Sequence, residues 1–144
     1  MSYEALFSIA NGLALLCWLP LVLAPRSRFT MAYTAAPIAP LAFALLYVVL
    51  VGVMLASPAA GGMDSLASLR EGFARDPVLL LAWVHYLSFD MMVGFWEVRD
   101  SARLGLSPWL VAPCLVLTFM LGPLGLVLYL LLRAVSRGTL RFDP

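Results

Sequence analysis

The segment WVHYLSFDMMVGFWEVRD, Trp83 to Asp100, holds most of the chemistry open to this chain: its one histidine, His85, and three of its eight acids, Asp90, Glu97 and Asp100. An imidazole and a carboxyl group in apolar surroundings can serve as general base and general acid. Read as a helix, His85 and Asp90 stand five positions apart, about 140° around the axis, so they do not form an i, i+4 pair. Any coupling between them must run through another helix, water or a ligand. Asp90 and Glu97 share one side, two turns apart, with Gly94 thinning the wall between them. One histidine with distant Cys17 and Cys114 matches no metal-ligand spacing. No glycine-rich phosphate loop, nucleophile elbow or haem motif is present, so neither a metal nor a cofactor is expected.

The elements that must position these groups are apolar. The chain has 144 residues, room for one domain over residues 1–144, and is 63% hydrophobic and 12% charged with no lysine. Four apolar windows, residues 5–24, 38–56, 78–97 and 109–132, are each long enough to cross a hydrocarbon core of about 30 Å at about 1.5 Å per residue. The expected fold is all-α, a four-transmembrane-helix bundle. A net charge of +1 without a basic cluster gives no reason to expect a nucleic-acid partner. Cys17 and Cys114 fall inside apolar windows, where cysteine behaves as a small hydrophobe. The opening MSYEALFSIANG lacks a basic n-region, so the first window is read as a retained helix with no transit peptide before it.

Short, punctuated connections join the windows. Pro25 closes the first and Pro37 precedes the second. Residues 57–77 form the longest loop, and within it Leu66, Leu69 and Phe73 fall at helical spacing opposite Arg70, Glu71 and Arg75. That pattern suits a short interfacial helix between helices 2 and 3; a solvated loop with one helical turn is the plainer alternative. Ser107 and Pro108 make an N-cap and first-turn pair for the fourth helix. Four crossings would put Arg70, Arg75, Arg133, Arg137 and Arg141 on one side of the membrane. Arg26, Arg28, Arg99 and Arg103 would lie on the other, and five against four leaves the orientation open.

Around the third helix, Leu80, Val84, Leu87, Met91, Phe95 and Val98 form an apolar stripe suited to lipid. The opposite wedge carries Tyr86, Phe89, Val93, Trp96, Glu97 and Asp100, with His85 and Asp90 at its margins near the mid-bilayer. Ionisable groups at that depth usually face the bundle interior. Glu97 and Asp100 sit nearer the helix end, where a solvated role, or a salt bridge to Arg99 or Arg103, is the plain expectation. Partners are available elsewhere: Glu4, Ser8, Asn11, Leu15 and Trp18 in the first helix, and Cys114, Thr118, Gly122, Gly125 and Tyr129 in the fourth. Small residues in that last stripe permit close helix approach. Pro123 frees the Phe119 carbonyl and could kink the helix. The structural alternative for His85 and Asp90 is interhelical bonding, worth roughly 0.6–2 kcal/mol each.

HYLSFDMMVGFWEVRD, followed by GLSPWLVAPCLVLTFMLGPLGLVLYLLLR, resembles the signature of the abscisic-acid-deficient-type membrane proteins, the family that includes plant neoxanthin synthase. The resemblance rests on His85, Tyr86, Phe89, Asp90, Gly94, Trp96 and Asp100, then Pro108, Trp109, Pro113, Cys114, Thr118, Phe119, Gly122, Pro123, Gly125 and Tyr129, with Asn11 and Gly12 near the start. It implies a small four-helix membrane protein of carotenoid metabolism. In plants the family is tied to converting the epoxide violaxanthin into the allenic neoxanthin, an isomerisation without a redox cofactor. No plastid-targeting extension precedes the first window, which suggests a bacterial member in the inner membrane. Bacteria without violaxanthin would need another substrate.

The reading is therefore a multi-pass protein that binds a lipophilic, carotenoid-like isoprenoid beside the third helix and can isomerise it. Asp90 and His85 are its catalytic candidates, as acid and base. Asn11, Tyr86, Phe89, Trp96, Glu97, Asp100, Thr118 and Tyr129 are its substrate-lining candidates. Partners would be membrane lipid, the lipophilic substrate, and a second copy or a pigment enzyme. Two alternatives stay open: a non-catalytic scaffold for a pigment-modifying enzyme, and a proton or small-solute carrier using His85 and Asp90 as a relay.

Overall fold

The computed structural model describes residues 2–56, 61–138 and 140. Residues 57–60 of the long loop, and Arg141 with its expected sidedness, lie outside the described residues. Among the described residues the secondary structure is entirely helical: α1 (Tyr3–Leu23), α2 (Arg28–Tyr33), α3 (Ile38–Leu55), α4 (Leu66–Phe73), α5 (Asp76–Arg103), α6 (Pro108–Leu121) and α7 (Pro123–Arg137). α1, α3 and α5 are each long and apolar enough to cross a membrane. The chain divides into two compact units, Met1–Ala14 with Ala39–Phe89, and Leu15–Ile38 with Asp90–Pro144.

In unit 1, Leu50, Leu80 and Val84 form a buried cluster capped by Leu6, Leu46, Tyr47 and Leu81. The Trp83 indole donates to Asn11 Oδ1 at 2.8 Å, and Ser88 Oγ donates to the Pro40 carbonyl at 3.0 Å. Both bonds give a polar group in an apolar setting its partner. The expected short helix is present as α4, whose N-cap Ser65 accepts from the Ser68 amide at 3.1 Å.

In unit 2, the connection after α1 contains the short helix α2. Ser27 caps it, and Thr30 Oγ1 donates to the Ala24 carbonyl at 2.7 Å. The fourth apolar window departs from expectation. It is two helices, because Gly122 adopts φ +44° and ψ −95° and Pro123 offers no amide hydrogen to continue the ladder. α6 and α7 then fold back on each other so closely that a Cβ on Gly125 would overlap the backbone of Thr118. In a continuous helix these residues, seven apart, would lie about 10 Å from each other along the axis. α6 begins just after Gly105, and Arg137, at the far end of α7, donates to the Gly105 carbonyl at 2.9 Å. The hairpin therefore leaves and returns to the same end of α5. Arg133 and Arg137 lie at that end beside Arg103, where four crossings would have set them opposite.

The α5 stripe expected to face lipid is buried instead: Val84, Met91 and Val98 have no exposure, and Leu80, Leu87 and Phe95 have almost none. Hydrocarbon covers leucine as readily as protein does, so an apolar face by itself does not say which way a membrane helix turns. The Asp90 and Glu97 margin of the polar wedge is buried beside this stripe. The His85 margin is exposed, together with Phe89, which corrects the expectation that His85 turns inward.

Candidate functional site

Unit 2 gathers the ionisable groups that the membrane interior makes costly. At the inner end is Asp90, buried, whose Oδ1 lies 2.8 Å from where a Cβ on Gly122 would stand. Two features let the carboxyl group approach the hairpin tip: the backbone turn at Gly122, with its positive φ, and the lack of a side chain there. Non-helical backbone at membrane depth is tolerated where protein covers it, and Gly122 is buried.

Two turns further along α5, Glu97 has no exposure at all. The Thr118 hydroxyl reaches both of its oxygens, at 2.9 Å from Oε1 and 3.1 Å from Oε2. Thr118 is held for this by Gly125, whose backbone packs directly against it. Gly94, between the two acids on the same helix, receives the Trp18 indole of α1, which in turn meets the Phe119 ring at 5.3 Å. The wall between Asp90 and Glu97 is thus filled by an indole, where the sequence suggested only that it was thin.

Asp100 is neutralised. Its Oδ2 pairs with Arg133 Nε at 3.0 Å and accepts from the Tyr129 hydroxyl at 2.6 Å, while its Oδ1 pairs with Arg103 at 2.9 Å. Arg133 is wholly buried, so the ion pair carries the cost of two desolvated charges and holds α7 against α5. The Trp96 ring closes on Tyr129 edge-on at 5.2 Å.

The candidates from the sequence fall in both units. Asp90, Trp96, Glu97, Asp100, Thr118 and Tyr129 come together in unit 2, and the stripe Cys114, Thr118, Gly122, Gly125 and Tyr129 is buried throughout. His85, Tyr86, Phe89 and Asn11 belong to unit 1. There His85 stacks on Phe89 at 4.7 Å and meets Tyr47 edge-on at 5.5 Å, while Asn11 is taken up by Trp83. Asp100 has the expected salt bridge to Arg103, but Glu97 is not solvated. Arg133 went unrecognised as a site residue, although it falls four positions after Tyr129 and so on the same helix face. Among the described residues no cluster of metal-ligating side chains occurs.

Apolar spans carrying buried carboxyl groups define an α-helical integral membrane protein with a polar interior site. The chain belongs to the ABA DEFICIENT 4-like family, whose model matches residues 5–129. No match was found among curated proteins or among solved structures.

Proposed function

We propose that the chain binds a lipophilic, carotenoid-like isoprenoid within unit 2 and isomerises it by acid–base chemistry between Asp90 and Glu97. Glu97 carries this reading. It is a carboxyl group without exposure whose hydrogen-bond partner, among the described residues, is the neutral hydroxyl of Thr118. An acid in a membrane helix costs up to about 2.5–3.5 kcal/mol on insertion scales, the full figure applying at the helix centre, and Glu97, nearer the helix end, bears part of it. Arg133 and Arg103 offset that cost for Asp100. No such cation stands beside Glu97 among the described residues, and an intramembrane acid retained at this cost points to function.

The resemblance to the family that includes plant neoxanthin synthase is what suggests an epoxide-to-allene isomerisation as the reaction class. One carboxyl group gives its proton to the epoxide oxygen as the C–O bond breaks. A carboxylate takes a proton from a neighbouring carbon, and the electrons of that C–H bond form the new double bond of the allene. Substrate and product have the same atoms and electrons. One proton transfer between the two acids restores the starting state. Asp90 and Glu97 stand about 10 Å apart along the helix axis with the Trp18 indole between them at Gly94, so a cyclic end group reaches both acids only where that indole turns aside. Glu97 replaces His85 as the base in this scheme, because His85 is exposed and belongs to unit 1. The test is pigment chromatography of a host that makes epoxy-carotenoids, with this chain as the sole addition. A new pigment of unchanged mass is expected; an unchanged pigment profile overturns the isomerase and leaves the scaffold.

A further inference from the structure

The hairpin of α6 and α7 changes the distribution of charge along the membrane normal. Arg26 Nη2 donates to the Ser101 and Leu106 carbonyls at 2.7 and 2.6 Å, which fixes it at the C-terminal end of α5. Arg28 lies two residues on, in α2. Arg99 and Arg103 belong to the last turns of α5. Arg133 pairs with Asp100, and Arg137 with the Gly105 carbonyl. Six arginines therefore gather at one end of unit 2, and against that unit's described acids Asp90, Glu97 and Asp100 they leave a net of +3 from six minus three. Arg28, Arg99, Arg103 and Arg137 are exposed there. In unit 1 the described residues include Arg70 and Arg75 against Glu4, Asp64, Glu71 and Asp76, a net of −2 from two minus four.

Neither α6, with 14 residues, nor α7, with 15, is long enough alone to cross about 30 Å. Both open at the Gly105 end of α5, and their turn at Gly122 meets Asp90 in the body of that helix.

From these observations we infer that α1, α3 and α5 cross the membrane while α6 and α7 form a re-entrant hairpin, and that the arginine end of unit 2 rests on the anionic headgroups of the cytoplasmic leaflet. Guanidinium groups flanking short connections are retained on the cytoplasmic side during insertion, and six against two decides a count that four crossings left at five against four. The occupant of this surface follows from charge: phosphate headgroups bearing a net negative charge, which arginine binds through paired N–H donors. A crossing by α5 puts its Asp76 end, with the chain just before it, on the opposite face from Arg103. The inference is independent of the isomerase reading.

The first test uses the full chain with Cys17 and Cys114 replaced by alanine, carrying either Glu71→Cys or Ser136→Cys, in bacterial spheroplasts treated with a membrane-impermeant maleimide. Glu71→Cys is expected to label in intact spheroplasts and Ser136→Cys only after lysis. Equal labelling of both restores four crossings and overturns the hairpin; the reversed pattern overturns the orientation. The second test is native mass spectrometry of the protein released from nanodiscs of equimolar phosphatidylglycerol and phosphatidylcholine. Phosphatidylglycerol adducts should predominate, and the excess should be lost in an Arg28→Gln, Arg99→Gln, Arg137→Gln variant. Equal adducts in the unmodified protein overturn the headgroup assignment.

Discussion

Replacing Gly125 by alanine tests the hairpin through a single methyl group. A Cβ at this position would meet the amide nitrogen, the Cα and the hydroxyl of Thr118. Two of these are backbone atoms and cannot swing aside as a side-chain tip would. Overpacking in a fixed core costs about 1–3 kcal/mol. The displaced Thr118 hydroxyl also loses Glu97, a hydrogen bond to an acidic group worth about 1.5–3 kcal/mol. Alanine's better helix propensity returns about 0.5–1 kcal/mol. The expected net loss is about 1.5–5.5 kcal/mol, roughly a few hundredfold in the folded-to-unfolded ratio at mid-range. Gly12 and Gly52 are built-in controls, since a Cβ at either meets nothing within 4 Å. Denaturant unfolding of the three alanine variants in one detergent should show Gly125→Ala far below the unmodified chain, with the other two equal to it or slightly above. If Gly125→Ala unfolds with the controls, α6 and α7 do not pack as described.

Three further outcomes follow from neighbouring contacts. Arg133→Met leaves the buried Asp100 with the half-exposed Arg103 as its remaining cation and should cost up to about 3–5 kcal/mol, much of it recovered when Asp100→Asn is added; unfolding of both variants measures the difference. Gly94→Ala drives a methyl group into the Trp18 indole and should cost about 1–3 kcal/mol, with a change in tryptophan fluorescence as that ring shifts against Phe119. Ser65→Ala removes the N-cap of α4 and should loosen that helix by about 0.5–2 kcal/mol, seen as faster proteolysis at Arg70 with global unfolding unchanged.

Which features the sequence revealed depended on whether the residue type itself limited the answer. Small and polar residues at Cys114, Thr118, Gly122, Gly125 and Tyr129 mark a helix face that must pack closely, and all five are buried. Proline marked the starts of α3 and α6, and the amphipathic pattern at Leu66, Leu69 and Phe73 found α4. The facing of α5 was not legible, because lipid and protein interior accept the same apolar stripe. The break at Gly122 was visible as a possible kink at Pro123, yet a proline alone is compatible with a continuous membrane helix. Only the positive φ of Gly122 turns the chain back. That reversal carries Arg133 to Asp100 and closes the polar interior around Glu97, and neither contact has a local signal in the sequence.

The central claim is that the Glu97 carboxyl group moves a proton on a bound isoprenoid. Glu97→Gln keeps the shape of the side chain and an oxygen for the Thr118 hydroxyl, so the protein should accumulate in membranes at the unmodified level and unfold at nearly the same denaturant concentration. In a host making epoxy-carotenoids, the account predicts that the isomer formed with the unmodified chain disappears with this variant. The same isomer at undiminished yield would contradict it.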